Sequence, residues 1–134
     1  MDNNGKFADL LWSDPCEDYE GFRVNQRGAG TLFGIKVVQQ FCQRNDIDLI
    51  VRSHQLVQEG YGFPFKDKYK ENKELVEYES KLVTLWSVPN YCYRCANKAM
   101  FLRVSKDLTK EYVEFKHDPV GAKTPLTKMT PYFL

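Results

Sequence analysis

Apolar positions along the chain fall into one stretch with helical spacing and several short runs. Between residues 31 and 44 they recur every three or four positions, with polar side chains opposite, which predicts a helix. The apolar stripe of this helix consists of Phe33, Val37, Val38, Phe41 and Cys42. The short runs predict four strands, at 48–51, 81–86, 99–104 and 111–115. These elements predict an α+β fold in which a small sheet, or part of a sandwich, carries one flanking helix.

The stretches between these elements predict loops. Residues 1–30 are loop-rich, with turn signals at Asp14-Pro15 and at 27–30. The strand at 48–51 is expected to be buried and to place Arg52 and His54 at its C-terminal end. Residues 55–61 are then expected to continue extended.

A charged segment and a proline-punctuated tail stand apart from the rest of the chain. Nine of the fifteen residues at 66–80 are charged, with nearly balanced signs. This composition predicts a solvated loop or a short surface helix, and a docking element for a partner is the alternative. Prolines at 119, 125 and 131 indicate an extended tail over 119–134, so the expected domain is 1–118.

Composition sets the protein class. With 43% hydrophobic residues among 134, the chain has a globular composition and room for one domain. Nineteen basic against eighteen acidic residues favour neither nucleic acid nor an anionic membrane surface as a partner. Because no run approaches eighteen apolar residues and the first six residues lack an apolar core, we expect a soluble protein of the cytoplasm, and of the nucleus as well.

The loop after the second predicted strand concentrates polar chemistry. It reads Trp-Ser-Val-Pro-Asn-Tyr-Cys-Tyr-Arg-Cys over residues 86–95. Phenols, thiols and a guanidinium are costly to bury unpaired, so the loop should line an open cleft, where a guanidinium suits an oxyanion such as phosphate. The alternative is a solvated turn whose tyrosines pack on the core. Cys92 and Cys95 have the spacing of half a zinc site or a redox pair, but free thiols are the simpler interpretation.

Five motifs, taken in order, resemble a known family. They are Asp-Leu-Leu-Trp-Ser-Asp-Pro at 9–15, Gln-Arg-Gly-Ala-Gly at 26–30, Val-Arg-Ser-His-Gln-Leu-Val-Gln-Glu-Gly-Tyr at 51–61, the loop at 86–95, and Thr-Pro-Tyr-Phe-Leu at 130–134. This series resembles the C-terminal part of the metal-dependent serine/threonine phosphoprotein phosphatases, in their type 2A-like branch. The final motif is most similar to the type 6 enzymes. The resemblance implies a partial metallophosphatase β-sandwich with a flanking helix, in which 66–80 is an insertion where the family has a short turn.

The resemblance also implies roles for single residues. Arg27 and Tyr91 would bind the substrate phosphate, and His54 would be a metal ligand. The residues that would border the groove and contact substrates or cyclic toxin inhibitors are Trp12, Leu56, Cys92, Arg94 and Cys95, and Cys95 matches the toxin-reactive thiol. In the tail, Leu134 would be carboxyl-methylated and Tyr132 phosphorylated. Two departures stand out: Asn25-Gln26 replaces the usual Ser-Pro before the arginine, and Ala96 replaces the glycine after the last cysteine.

The metal motifs of the family are missing. Two divalent ions, manganese or iron and zinc, are held in the family by Gly-Asp-x-His, Gly-Asp-x-x-Asp-Arg-Gly, Gly-Asn-His-Glu and two later histidines. This sequence contains none of the three motifs, and only His54 matches a ligand. Because a two-metal site needs several converging ligands, we expect this chain alone to bind no metal, or one weakly.

Three interpretations of the function remain at this point. The chain is a fragment, a degenerate paralogue or a truncated gene product of a phosphatase that hydrolyses phosphoserine and phosphothreonine in phosphoproteins, inactive in isolation. Alternatively, it is a non-catalytic protein that competes for type 2A-like regulatory or scaffold subunits. A phosphopeptide-binding module using Arg27 and Tyr91 is a third interpretation, which would need more basic residues around a dianion.

Overall fold

A computed structural model describes residues 5–117, which divide into two compact units. The first unit contains residues 5–55 and 62–84, and the second contains residues 56–61 and 85–117. The tail at 119–134, with Tyr132 and Leu134, lies outside the described residues. None of the described helices is long and apolar enough to cross a bilayer.

The first unit builds a three-stranded sheet around a central strand. Its elements in chain order are α1 (Lys6–Trp12), β1 (Asp14–Pro15), β2 (Phe22–Val24), β3 (Thr31–Phe33), α2 (Ile35–Asn45), β4 (Ile50–Arg52), α3 (Lys73–Val76) and most of β6 (Leu82–Leu85). β3 lies between β1, which is parallel to it, and β2, which is antiparallel. β4 pairs in parallel with β6, from Ile50 opposite Leu82 to Arg52 opposite Thr84. The short strand β5 (Tyr61–Gly62) lies at the boundary between the units.

The predicted helix begins later than expected. Residues 31–33 form the strand β3, and α2 starts only at Ile35, after Gly34. A side chain at Gly34 would overlap the carbonyl oxygen of Tyr19, with a Cβ only 1.7 Å from it, so another segment approaches the backbone closely there, and Gly34 itself is extended, with φ of −95° and ψ of 179°. The buried face of α2 consists of Ile35, Val38 and Cys42. Phe41, which the helical spacing assigned to the core, is exposed.

The charged segment at 66–80 contributes to the core of the first unit. Its lysines and glutamates are mostly exposed, but Leu75 and Tyr78 are buried against α2 and β6 in one cluster: Ile35, Val38, Cys42, Phe65, Leu75, Tyr78 and Leu82. The Tyr78 hydroxyl accepts a hydrogen bond of 2.9 Å from Gln43, and the Tyr69 hydroxyl donates one of 2.9 Å to the carbonyl of Glu17. The prediction of a short surface helix is therefore incomplete, because that helix, α3, is anchored by its buried Leu75, and Tyr78 just beyond it is buried as well.

The second unit is a β-hairpin with a loop folded beside it. Its strands, β7 (Ala99–Val104) and β8 (Lys110–Phe115), are antiparallel and in register from Ala99 opposite Phe115 to Val104 opposite Lys110. The loop contains a short 3-10 helix, Tyr91–Tyr93. Trp86 and Met100 are buried, and the Met100 amide donates to the Trp86 carbonyl at 2.8 Å. The strand predictions at 99–104 and 111–115 are confirmed.

Other local predictions differ from the structure. Residues 1–30 contain α1, β1 and β2, which are short and were not predicted. The strand predicted at 48–51 spans Ile50–Arg52 and is only partly buried. Residues 55–60 turn instead of continuing extended, with the Gly60 amide bonded to the Val57 carbonyl at 3.0 Å, and strand structure resumes at Tyr61 in β5.

Candidate functional site

A buried carboxylate in the first unit gathers two arginines and a histidine. The Asp14 side chain is only 4% exposed, and its oxygens lie 3.2 Å from Nη2 of Arg52, 3.6 Å from Nε of Arg27 and 3.8 Å from Nε2 of His54. Nη1 of Arg27 is in turn 3.2 Å from Nε2 of His54. The chain thus brings Arg27 and His54, two of the predicted site residues, into direct contact.

Strand ends and turns position these groups. Asp14 opens β1, where it is opposite Leu32 of β3, and Arg52 ends β4. His54 follows two residues later with φ of 75°, a left-handed conformation that is uncommon for a non-glycine residue and often marks a functional position. Nη2 of Arg52 also donates to the Ser13 carbonyl at 2.9 Å, which links the ends of β1 and β4.

Asn25 shapes the loop that carries Arg27. Its side-chain oxygen accepts the Arg27 amide at 3.0 Å, and its side-chain nitrogen donates to Asp14 at 3.2 Å. Farther along the loop, Gly30 has φ of 65° and lies so close to Trp12 that a Cβ would be 2.5 Å from the Trp12 carbonyl carbon. The replacement of the usual Ser-Pro therefore leaves a defined loop, because Asn25 supplies hydrogen bonds on both sides of it.

The surroundings of His54 favour its neutral form. Burial lowers the pKa of the imidazole, the Asp14 carboxylate raises it, and Arg52 and Arg27 lower it further. Because a guanidinium can only donate, the contact with Arg27 requires an unprotonated Nε2 and places the proton on Nδ1. The Trp12 ring meets the imidazole edge-on, with centroids 5.0 Å apart. The Nε2 lone pair, which accepts from Arg27 here, is the one donor that this tautomer can offer to a metal ion, so metal binding would replace the contact with Arg27.

The charges of the cluster favour the binding of an anionic ligand. Asp14 contributes one negative charge, Arg27 and Arg52 contribute two positive charges, and His54 is neutral. Burial lowers the pKa of the Arg52 guanidinium, and its ion pair with Asp14 opposes this shift. The Arg27 side chain is half-exposed, so its remaining N–H groups can reach a ligand. Planar guanidinium donors of this kind bind phosphate oxygens.

The cluster does not fit a two-metal centre. Among the described residues, no group of three or more histidine, cysteine, aspartate or glutamate side chains is placed to hold a metal ion. Asp14 and His54 are the two candidate donors here, and Asp14 already pairs with both arginines. No catalytic step through a metal is assigned to this chain by itself.

The remaining predicted site residues belong to the second unit. Tyr91, Cys92 and Cys95 are half-buried, and Arg94 and Leu56 are exposed. The Tyr91 ring packs edge-on against Trp86, with centroids 4.9 Å apart. All four cysteines of the chain are free thiols.

Residues 90–96 adopt a strained backbone. Four non-glycine residues here have left-handed φ angles, between 45° and 58°: Asn90, Cys92, Tyr93 and Ala96. Ala96, with φ of 51°, occupies the position where the family has glycine, as expected for a backbone angle that glycine adopts freely. Such strain persists only where the surroundings fix the loop.

Asn97 fixes this loop. Its side chain is buried, accepts the Tyr91 amide at 2.8 Å and donates to the carbonyls of Val88 and Lys98 at 2.8 and 2.9 Å. Asn90 adds a bond to the Ala96 amide at 3.0 Å, and Gln58 donates to the Cys95 carbonyl at 2.9 Å. These bonds hold the tyrosine and the thiols in one defined turn.

Sequence reasoning missed the residues that hold the site together. Asp14 was interpreted only as part of a turn and of the motif at 9–15, Asn25 as a departure from a motif, and Asn97 was not singled out. The available signal was an acidic or amide side chain directly beside a turn, where such groups often hydrogen-bond the backbone. That signal does not reveal burial or partners distant in sequence.

Comparisons with known proteins find similar sequences among the phosphatases. Residues 1–58 match the family described as calcineurin-like phosphoesterase. The chain is 46% identical over 134 residues to the serine/threonine-protein phosphatase ppe1 of Schizosaccharomyces pombe, covering 98% of this chain and 40% of that protein. It is 46% identical over 114 residues to the serine/threonine-protein phosphatase 4 catalytic subunit of Saccharomyces cerevisiae, covering 85% and 32%. It is 40% identical over 133 residues to the serine/threonine-protein phosphatase 6 catalytic subunit of Caenorhabditis elegans, covering 98% and 36%.

The fold comparison points in the same direction. A solved serine/threonine phosphatase from Saccharomyces cerevisiae, described as similar to human phosphatase PP5, superposes with a TM-score of 0.64 at 27% identity. The match covers 87% of this chain and 36% of that one. This chain thus spans well under half of the relatives it matches. These similarities confirm the predicted resemblance to the catalytic subunits of type 2A-like serine/threonine phosphatases, of which this chain matches a part.

Proposed function

We propose that this chain supplies the C-terminal portion of a metal-dependent active site that hydrolyses phosphoserine and phosphothreonine esters. The observation that carries the proposal is the convergence of Arg27 and a neutral His54 on the buried Asp14. Arg27 is the phosphate-binding group, and His54 is one ligand of the metal centre. Asp14 and Arg52 keep both side chains in position.

The arginine acts by electrostatic preorganisation. Asp14 fixes the guanidinium before any substrate arrives, so that its free donors are aimed at a phosphate whose charge shifts during the reaction. Arg52 adds a second positive charge within the same cluster. For Tyr91 we propose a hydroxyl contact with the substrate, a role that rests on the family resemblance.

The isolated chain is proposed to be inactive. Metal ions in such sites supply a nucleophilic hydroxide and a clamp for the phosphoryl group, and the donors in this chain are too few to hold them. Arg27 can bind a phosphate that nothing then attacks. Hydrolysis therefore requires the remaining portion of a catalytic domain.

The substrates and partners are proposed from the relatives. Phosphoproteins are the substrate class, and regulatory or scaffold subunits are the proposed partners, because two of the relatives are themselves named catalytic subunits. Methylation of Leu134 and phosphorylation of Tyr132 would change the charge of the tail in opposite directions and so affect such docking differently.

Phosphate release from a phosphothreonine peptide with manganese tests the proposal. The full chain alone should match buffer. Co-expression with the part of Schizosaccharomyces pombe ppe1 that this chain does not span should give manganese-dependent release. His54→Ala and Arg27→Ala should each reduce that release by about 100-fold or more, since removal of one transition-state contact has effects of this order.

Matched variants separate chemistry from folding. His117→Ala removes the other histidine, which is exposed in the second unit, and Arg44→Ala removes an exposed arginine of α2. Both should leave the release unchanged. Manganese-dependent turnover by the chain alone that disappears in His54→Ala would overturn the proposed inactivity. A co-expressed pair whose activity is indifferent to both Arg27 and His54 would overturn the proposed site.

A further inference from the structure

Asn25 is a buried amide inside the arginine and histidine cluster. It is only 6% exposed and comes directly after β2, which ends at Val24. Its side-chain nitrogen donates to Oδ2 of Asp14 at 3.2 Å and lies 3.4 Å from the Trp12 carbonyl oxygen. Its side-chain oxygen accepts the Arg27 amide at 3.0 Å. One side chain thus contacts the carboxylate, the arginine loop and the segment that carries Trp12.

Each oxygen of the Asp14 carboxylate has a close partner other than Arg27. Oδ1 accepts from Nη2 of Arg52 at 3.2 Å, and Oδ2 accepts from Asn25, also at 3.2 Å. Nε of Arg27 is 3.6 Å from Oδ2, which is longer than a normal N–H···O hydrogen bond. Arg27 is therefore an electrostatic neighbour of the carboxylate, while Asn25 holds the hydrogen bond to the oxygen between them.

This arrangement keeps the Arg27 guanidinium available to a ligand. A guanidinium in direct contact with a carboxylate usually forms a bidentate pair, which uses two of the N–H donors that could bind phosphate. Here the charge of Asp14 is balanced by Arg52, and Nη1 of Arg27 contacts the neutral acceptor Nε2 of His54 at 3.2 Å. The Arg27 side chain is 50% exposed, so it can reach a phosphate without breaking a close ion pair.

We infer that Asn25 is a positioning residue that keeps Arg27 from pairing directly with Asp14, so that the donors of Arg27 remain free for the substrate phosphate. This inference rests on the proposed function. Asn25 acts in two ways: its nitrogen occupies the carboxylate oxygen nearest Arg27, and its oxygen fixes the backbone of Arg27. It does so without touching the substrate itself.

The sequence of the loop supports this role. Asn25-Gln26 stands where the resembling family usually has Ser-Pro. Proline fixes its own φ angle, whereas an asparagine that accepts the amide two residues later forms an Asx turn, which orders the backbone by a hydrogen bond. An amide side chain also carries an acceptor oxygen and two donor hydrogens. Asn25 can therefore order the loop and bond the Asp14 carboxylate at the same time.

Nuclear magnetic resonance of the unsubstituted full chain gives the first test. The side-chain amide hydrogens of Asn25 should exchange with water at least about tenfold more slowly than those of the exposed Gln26, because they are buried and hydrogen-bonded. Added inorganic phosphate should shift the Arg27 Nε–H signal and the backbone amide signals of residues 25–30. The concentration dependence of these amide shifts gives the dissociation constant for phosphate, and Arg27→Ala should abolish them.

Two substitutions remove the donor that Asn25 offers to Asp14. Asn25→Ala removes the whole amide, and Asn25→Asp keeps an oxygen that can accept the Arg27 amide. In both variants Arg27 should bind a carboxylate oxygen directly, so its Nε–H should exchange more slowly in the absence of phosphate. The dissociation constant for inorganic phosphate should rise by about tenfold, which corresponds to the loss of one hydrogen bond to a charged ligand.

Asn45, the last residue of α2, provides the matched controls. Its side-chain nitrogen also donates a hydrogen bond, to the Phe41 carbonyl at 2.8 Å. Asn45→Ala and Asn45→Asp should leave both the Arg27 Nε–H exchange and the phosphate dissociation constant unchanged. Circular dichroism shows whether each variant is folded. If neither Asn25 variant folds, the exchange of the Asn25 amide hydrogens in the unsubstituted chain decides between the outcomes.

The role of Asn25 and the proposed function can fail separately. Amide hydrogens of Asn25 that exchange as fast as those of Gln26 would overturn the inference. So would an Arg27 Nε–H exchange rate, or a phosphate dissociation constant, that is the same in the folded Asn25 variants as in the unsubstituted chain. Phosphate that shifts the same amide signals in Arg27→Ala would instead overturn the phosphate-binding role of Arg27, and the Nε–H exchange without phosphate would still decide the role of Asn25.

Discussion

Asp14 is the carboxylate that pairs with both Arg27 and Arg52 in the first unit. Its side chain is nearly inaccessible to water, and Arg52 beside it is 14% exposed. A buried ion pair adds little net stability over an apolar pair, but removal of one partner leaves the other charge unpaired in the interior. Asp14 thus constrains Arg27 and His54 through electrostatics that a simple turn residue would not provide.

We expect Asp14→Ala to destabilise the first unit strongly. The free energy of unfolding should fall by about 3 kcal/mol or more, because Arg52 loses its carboxylate partner and keeps only uncharged acceptors. Urea denaturation followed by circular dichroism measures this change. Asp18→Ala is the control, since Asp18 is 79% exposed and pairs with Lys68 at 3.4 Å, a surface bridge worth less than about 1 kcal/mol. Equal effects of the two substitutions would contradict the role of Asp14.

Ala96→Gly should stabilise the second unit. Ala96 is held at φ of 51°, and a left-handed conformation costs a non-glycine residue about 1–2 kcal/mol. Glycine avoids this cost, but it makes the unfolded chain more flexible, and this entropy offsets part of the gain. The free energy of unfolding is expected to rise by about 0.5–1 kcal/mol in the same denaturation assay. Ala29→Gly is the matched substitution at a position without a left-handed φ and should be destabilising. A loss of stability in Ala96→Gly would show that the strain is absent in solution.

Helix α3 shows how a short element can matter through two side chains. It has four residues and an N-cap at Asn72, whose side chain accepts the Glu74 amide at 3.2 Å. Its buried Leu75, together with the nearby Tyr78, packs on α2. Its stability therefore comes from tertiary packing, since a helix of this length is not stable alone.

Leu75→Ala should cost about 2–5 kcal/mol in the free energy of unfolding, because it removes a fully buried side chain and leaves a cavity. Val76 is the next residue and is half-exposed, so Val76→Ala should change the free energy of unfolding by less than about 1 kcal/mol. Urea denaturation of both variants under the same conditions measures the two changes in the free energy of unfolding. If Leu75→Ala proved as mild as Val76→Ala, the charged segment would be the solvated loop that its composition predicts.

Elements with regular patterns could be predicted, and short ones could not. The strand at Ala99–Val104 was predicted at its true bounds from the apolar residues Met100, Leu102 and Val104 at every second position, although Val104 is exposed. The start of α2 was misplaced because Gly34 and β3 are fixed by contacts with residues 19–22, which helical periodicity does not encode. Likewise, nothing local in the charged segment distinguishes Leu75, which is buried, from Val76, which is not.

For the molecule as a whole, the family and the fold class were predictable from motifs. The five motifs identified the branch, and the relatives confirm it. The contact between Arg27 and His54 follows from two motifs that are 27 residues apart in the sequence. The central role of Asp14 did not follow, because it depends on which strand ends meet, and β1 is only two residues long.

The anchoring of Leu75 and Tyr78 has a consequence for building chimeras from this chain and its relatives. The segment at 66–80 resembles a removable insertion, yet part of the space between α2 and β6 is filled from it. A relative with a short turn at this point must fill that space from elsewhere. Transplanting the segment, or excising it, should therefore succeed only when α2 is exchanged together with it, so the smallest interchangeable module here is the helix and the loop combined.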